Sequence, residues 1–158
     1  MRSEQRARWV LMRAADTPEV RSTPGVSRTF LTRAEVGSQH LSTGTTRFEA
    51  GAGLFWHMHP HDESVTVLEG APICEVGGVD GIVEAHPLQP LDTTFIPAYT
   101  PHRFINPTDQ PAIIHWSYPT ARIERCPVNP DGSPLEGLHC ADSSPGERSS
   151  EQRQTHDG

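Results

Sequence analysis

Lysine is missing altogether: the chain's thirteen basic residues are all arginine. With no primary side-chain amine, Schiff-base catalysis and lysine-dependent phosphate loops are excluded. Cysteine is scarce. Cys74, Cys126 and Cys140 are an odd set without CxxC spacing, so neither a disulfide framework nor a thiolate zinc site is expected, and a reduced, cytoplasmic setting is the expectation. Aromatic residues make up only 6% of the chain. The longest apolar run near the start, Trp9-Val10-Leu11-Met12, is too short for a signal-peptide core or a membrane span. Glycine (13) and proline (15) are plentiful instead, a mix that favours short strands and turns over a helical bundle. The length of 158 residues suits one domain with a single core.

The net charge of -7 is unevenly spread. Residues 1–39 carry seven Arg against four acids, residues 40–118 two Arg against nine acids, and residues 119–158 four Arg against seven acids. An acidic middle repels phosphate backbones, which argues against nucleic-acid binding. Three regions follow: an N-terminal arm with strand-like segments (1–39), an all-β barrel (40–126) and a mostly disordered tail (127–158) poor in large apolar side chains. In the arm, 8–13 and 26–32 read as strands around a Pro18/Pro24/Gly25 loop. In the middle, 41–49, 54–59, 64–69, 73–76, 81–84, 93–96, 102–105 and 112–118 read as short strands, which predicts an antiparallel barrel or double-sheet sandwich.

The densest chemistry lies between Gly51 and Gly70. On a strand, side chains two apart face one way, so His57 and His59 share a face with Phe55 beside them. Pro60 ends that strand, and Glu63 opens the next one. His102 follows a Pro97-Ala-Tyr-Thr-Pro101 turn and supplies a third imidazole. Three imidazoles and a carboxylate suit one divalent first-row metal: iron foremost, with manganese, nickel, copper, cobalt or zinc as alternatives.

These residues resemble the two cupin motifs. The first, G-x5-H-x-H-x3-E-x6-G, is met at Gly51, His57, His59, Glu63 and Gly70. The second, G-x5-P-x-G-x2-H-x3-N, is met at Pro97, His102 and Asn106, with Leu91 and Tyr99 where the family has glycine. The resemblance implies an antiparallel double-stranded β-helix, the jelly-roll or cupin barrel, holding a metal through His57, His59, Glu63 and His102. It does not imply one activity, because cupins include dioxygenases, oxalate-degrading enzymes, isomerases, lyases, cyclases, storage proteins and sensors.

His61 is an alternative or extra ligand. Glu63 doubles as a base, and His115, in mid-strand, is a candidate acid/base. Arg47, Phe55, Tyr99 and Phe104 are candidate pocket residues, Arg47 as an anchor for a carboxylate. Cys74 reads as a small buried hydrophobe. The expected function is a metal-dependent enzyme acting on a small organic molecule, foremost an Fe(II)-type dioxygenase. A non-redox isomerase, lyase or cyclase and a non-catalytic small-molecule-binding cupin are the alternatives. No membrane partner is expected. Surplus strands in the arm predict a homodimer formed by arm exchange.

Overall fold

The computed structural model, which describes residues 9–142, is built almost wholly from strands. One antiparallel sheet runs in the spatial order β1 (Glu19–Thr23), β2 (Val26–Thr32), β3 (Ser42–Phe48), β10 (Ala112–Tyr118), β5 (Glu63–Glu69), β8 (Thr93–Ile96). The second runs β12 (Ala141–Asp142), β11 (Glu124–Pro127), β4 (His57–Met58), β9 (His102–Ile105), β6 (Ile73–Gly77), β7 (Val83–Pro87). From β3 onward the chain passes back and forth between the sheets, which is the antiparallel jelly-roll arrangement the sequence predicts. Apart from the β6–β7 and β11–β12 pairs, strands consecutive in the chain from β3 onward therefore lie in opposite sheets.

Alternation along the strands decides what is inside. On β3, Ser42, Gly44, Thr46 and Phe48 are buried and their neighbours are not; on β10 the same holds for Ala112, Ile114, Trp116 and Tyr118. Phe48, Ile114, Trp116 and Tyr118 from these faces join Phe30, Val65, Val67 and Phe104 in the core. Each fully buried large apolar side chain contributes about 1.5–3 kcal/mol. Gly44 lies opposite both Phe30 and Trp116 in register. A Cβ there would stand 2.3 Å from the Trp116 ring and 2.4 Å from the Thr29 carbonyl, so only glycine lets the indole cross the strand. The indole N–H then donates to Thr46 Oγ1 at 3.1 Å.

Several strand expectations need correction. Residues 9–13 form no strand; Arg8 lies outside the described residues. The arm's first strand is instead β1, in the stretch expected to be loop. There Pro24-Gly25, with Gly25 at φ +71°, closes a hairpin that pairs Glu19 with Thr29 and Val20 with Arg28. This hairpin continues the barrel's own first sheet beside β3. The strand expected at 54–59 shrinks to His57–Met58, because the Leu54 N–H is taken by the Phe104 carbonyl and Pro60 follows. Neither β11 nor β12 shows apolar alternation, which is why the sequence reading passed over both.

The cysteine expectation is overturned as well. Cys126 and Cys140 form a disulfide (S–S 2.06 Å), tying β11 to the segment that leads into β12. The odd one out is Cys74, free and buried in the core. Burial pushes its thiol up to about 12, so it behaves as the small hydrophobe expected of it. Cysteine usage therefore gives no argument for a reducing compartment. No helix among the described residues is long and apolar enough to cross a membrane. The part of the expected tail beyond residue 142 lies outside the described residues.

Candidate metal centre

The ladder between β4 and β9 sets His57 directly opposite His102, and their rings come to 4.4 Å centroid to centroid. His59, two residues on, stands 5.0 Å from the His57 ring and 5.5 Å from that of His102. Glu63 opens β5 in the other sheet and reaches across to them. One ligand atom from each of the four lies within 4.8 Å of all the others, and all four residues are buried.

The backbone fixes how these imidazoles present themselves. Nδ1 of His57 bonds the Phe55 carbonyl (2.9 Å), Nδ1 of His59 that of Glu124 (2.6 Å), and Nδ1 of His102 that of Thr100 (2.8 Å). A carbonyl only accepts, so each Nδ1 carries the proton and each Nε2 keeps its lone pair. Three Nε2 atoms and a carboxylate thus share one interior space, the arrangement in which metal-binding histidines are usually found, with the other nitrogen bonded to an acceptor. With His102 Nδ1–H already donated, the 2.9 Å contact between its Nε2 and Glu63 Oε2 calls for a second proton or a shared cation. The donor set fits a divalent first-row ion.

Electrostatics agrees. Burial, followed by the neighbouring charges of His102 and Arg125, holds His57 well below its ordinary value. Burial also dominates at His59, where Glu63 pulls the other way, and the result is about 4. At Glu63 burial pushes upward, but the hydrogen bond and charge of His102, with help from His59 and Tyr118, bring the carboxyl down to about 2. At neutral pH His57 and His59 are therefore neutral imidazoles and Glu63 is a carboxylate.

These shifts predict acid sensitivity. Between the ordinary histidine value of 6.5 and about 4, the unfolded chain binds protons that the folded His57 and His59 refuse, so stability falls as pH falls through that window. Glu63, depressed from 4.5 to about 2, extends the loss across the next window down. The slope reaches about 1.4 kcal/mol per pH unit for each proton difference. Urea midpoints of the chelator-treated chain should drop from pH 7 to pH 4; an unchanged midpoint would contradict the buried neutral imidazoles.

One residue of the centre escaped the sequence reading. Tyr118 Oη donates to Glu63 Oε1 at 2.7 Å and sits 3.4 Å from His59 Nε2. Burial and then Glu63 raise its hydroxyl well above 10, so it stays a proton donor. It occupies the same strand face as Ile114 and Trp116, and that parity was the available signal. Tyr118→Phe should weaken metal binding by about tenfold, the size of effect that outer partners of metal ligands usually have. Equal affinity in a chelator competition would show that the hydroxyl only packs.

The other candidates are placed as follows. His115 is not brought to the centre: it lies on the opposite face of β10 from Tyr118, in register with Thr45 and Thr66. Arg47 likewise occupies the non-core face of β3 and pairs with Glu49 at 3.0 Å. Phe55, 42% exposed, meets the His57 ring edge-on at 5.7 Å. Phe104 is buried 6.4 Å from His102. Tyr99 is 63% exposed, with its N–H on the His59 carbonyl at 2.7 Å. His61 stands outside the four-residue group, its ring stacked on His59 at 5.2 Å. Asn106 serves the backbone: its amide donates to the carbonyls of Phe48, Glu49 and Gln110, and its oxygen accepts from Thr108. A surface cleft of about 360 Å³ at the β1–β2 turn shares no residue with the ligand group.

Leu91 (φ +76°) and Tyr99 (φ +62°) both hold the left-handed conformation that favours glycine, at some cost in backbone strain.

Comparison with known proteins fits this picture. Residues 44–118 match the family model described as "Cupin domain". Among solved structures, KdgF from Halomonas sp. superposes with a TM-score of 0.59 at 22% identity, covering 71% of this chain and 94% of that one. The polyketide cyclase RemF from Streptomyces resistomycificus gives 0.63 at 19% identity, covering 73% and 82%. Oxalate decarboxylase from Bacillus subtilis gives 0.61 at 18% identity over 68% of this chain and 28% of that much longer one. No curated protein sequence matches. Motifs, strand order and family match together identify the chain as carrying a small domain of the cupin superfamily.

Proposed function

We propose that this chain is a metal-dependent enzyme acting on a small organic molecule, with dioxygen chemistry on Fe(II) as its leading reaction class. The observation that carries the reading is the set of three Nδ1–carbonyl bonds, which aims three Nε2 lone pairs at the space Glu63 also faces. A purely structural cluster has no need of this arrangement, because burying three imidazole acceptors together costs free energy unless a cation or donor satisfies them.

His57, His59, Glu63 and His102 would hold the ion. Four protein ligands leave an octahedral ion room for small molecules, and a bound divalent iron would supply Lewis acidity and one-electron chemistry toward dioxygen. The protein's own contribution is orientation. The carbonyls of Phe55, Glu124 and Thr100 fix the rings, and Tyr118 holds one carboxylate oxygen of Glu63 while the other faces His59 and His102. Glu63 is ionised at neutral pH and held by Tyr118 and His102, so it would accept a substrate proton only on loosening from His102.

The test is a panel of small organic acids, phenols and sugars offered to the iron-reconstituted chain in an oxygen electrode and again under nitrogen. Substrate-dependent oxygen uptake is the expected result. Turnover that proceeds equally under nitrogen would overturn the oxygenase assignment and point to an isomerase, lyase or cyclase. The absence of any turnover, together with tight ligand binding, would mark a binding module.

A further inference from the structure

One strand, β11, joins the metal centre to the Cys126–Cys140 disulfide. Its Glu124 carbonyl accepts from Nδ1 of His59 at 2.6 Å, and its Pro127 pairs in register with His57. The ladder between β11 and β4 ends, however, at the pair Cys126–Met58, two residues short of Glu124. Glu124 is registered instead with Asp142 of β12. β12 is only two residues long, and Cys140, the residue before it, is bonded to β11 through Cys126.

The disulfide therefore clamps the stretch of β11 that aims His59. A two-residue strand does not hold itself in place, since the entropy lost in ordering it matches or exceeds what so few ladder bonds return. With the bond open, β12 is released and β11 becomes the edge of its sheet at Glu124. Ile123, Cys126 and Val128 stay buried and keep β11 on the barrel, so the loss falls on the aim of the His59 ring and not on the fold.

The two sulfurs differ in access. Cys126 is 4% exposed, whereas Cys140 lies in an exposed segment. A thiolate from solution therefore attacks Cys140 Sγ. The S–S bond breaks, a mixed disulfide forms at Cys140, and Cys126 leaves and takes up a proton as a buried thiol. The second thiol of a dithiol reductant then displaces Cys140, so that the dithiol is oxidised to a disulfide and both cysteines end as thiols. Cys74 on β6 is shielded from this exchange by the core.

We propose that Cys126–Cys140 is a thiol-exchange site that sets how tightly the metal centre holds its ion. The oxidised chain fixes His59 and binds the ion tightly; reduction by a dithiol frees the ring and weakens binding. The proposal rests on the reading of His57, His59, Glu63 and His102 as metal ligands.

The test compares the full chain, metal-free, in three forms: oxidised, reduced with dithiothreitol that is then removed under nitrogen, and Cys140→Ala, which keeps Cys126 as a core thiol. NMR follows the Nδ1–H proton of each ligand histidine, and chelator competition gives the Kd for Zn(II). In the reduced chain and in Cys140→Ala the His59 signal should be lost to solvent exchange. Those of His57 and His102, bonded to the Phe55 and Thr100 carbonyls outside β11, should persist. Reoxidation of the reduced chain should restore the His59 signal. The Kd is read on Cys140→Ala, because a freed thiol pair binds zinc itself, and should rise about tenfold, the size of effect usual for an outer partner of a metal ligand. An unchanged His59 signal, loss of all three signals together, or a Kd in Cys140→Ala equal to that of the oxidised chain would overturn the proposal and leave the metal centre standing. A chain that takes up no Zn(II) in any form would overturn the reading of the centre, and the proposal with it.

Discussion

Gly44→Ala should cost about 3 kcal/mol of folding stability, at the upper end for an overpacked core position. The added methyl would fall 2.3 Å from Cζ2 of Trp116 and 2.4 Å from the Thr29 carbonyl. Neither neighbour gives way readily. The carbonyl is part of the β2–β3 ladder, and the indole is pinned by its bond to Thr46 and packed at 5.4 Å against Phe30 and 5.3 Å against Tyr118. Shifting the indole would therefore disturb the tyrosine that orients Glu63. Trp116→Phe removes one of the two clashes and leaves that with the Thr29 carbonyl, so the double variant should recover part of the loss, a coupling measurable by a double-mutant cycle in urea. Simple additivity of the two single changes would show that the indole is not what excludes a side chain at position 44.

His102→Ala should raise the Kd for Co(II) or Zn(II) at least a hundredfold. It removes one of four ligands and also the partner that holds Glu63 Oε2 at 2.9 Å. Metal present at a thousandfold excess over its Kd stabilises the folded chain by about 4 kcal/mol, so the Tm rise on metal addition should largely vanish in the variant. Arg47→Ala, on the non-core face of β3, should keep the full rise. If His102→Ala retained the rise, the metal would be binding elsewhere.

The centre was legible in the sequence because its chemistry is local and periodic. His57 and His59 stand two apart at β4 and just beyond it, Glu63 follows a proline-ended turn, and His102 opens a strand after another such turn. The second sphere was less legible for physical reasons. Tyr118 acts on Glu63 from 55 residues away, and the carbonyl of Glu124 on His59 from 65, contacts that only strand order creates. Arg28 is a charged residue on the face of β2 that Val26 and Phe30 bury, a position that sequence logic gives to apolar side chains. His115 and Arg47 illustrate the converse error. Their chemistry was suitable, but a one-residue difference in parity turns each to the far side of its sheet. The disulfide was hidden because two half-cystines fourteen residues apart look unrelated until β11 and the approach to β12 are brought together.

The most direct test of the central claim is elemental analysis of protein purified without added metal or chelator, with His57→Ala alongside. The account predicts about one equivalent of a first-row divalent metal in the native chain, and loss of that metal in the variant. Native protein that stays metal-free even after reconstitution with Fe(II), Mn(II), Ni(II), Co(II), Cu(II) and Zn(II), or that holds as much metal in the variant as in the native chain, would contradict it.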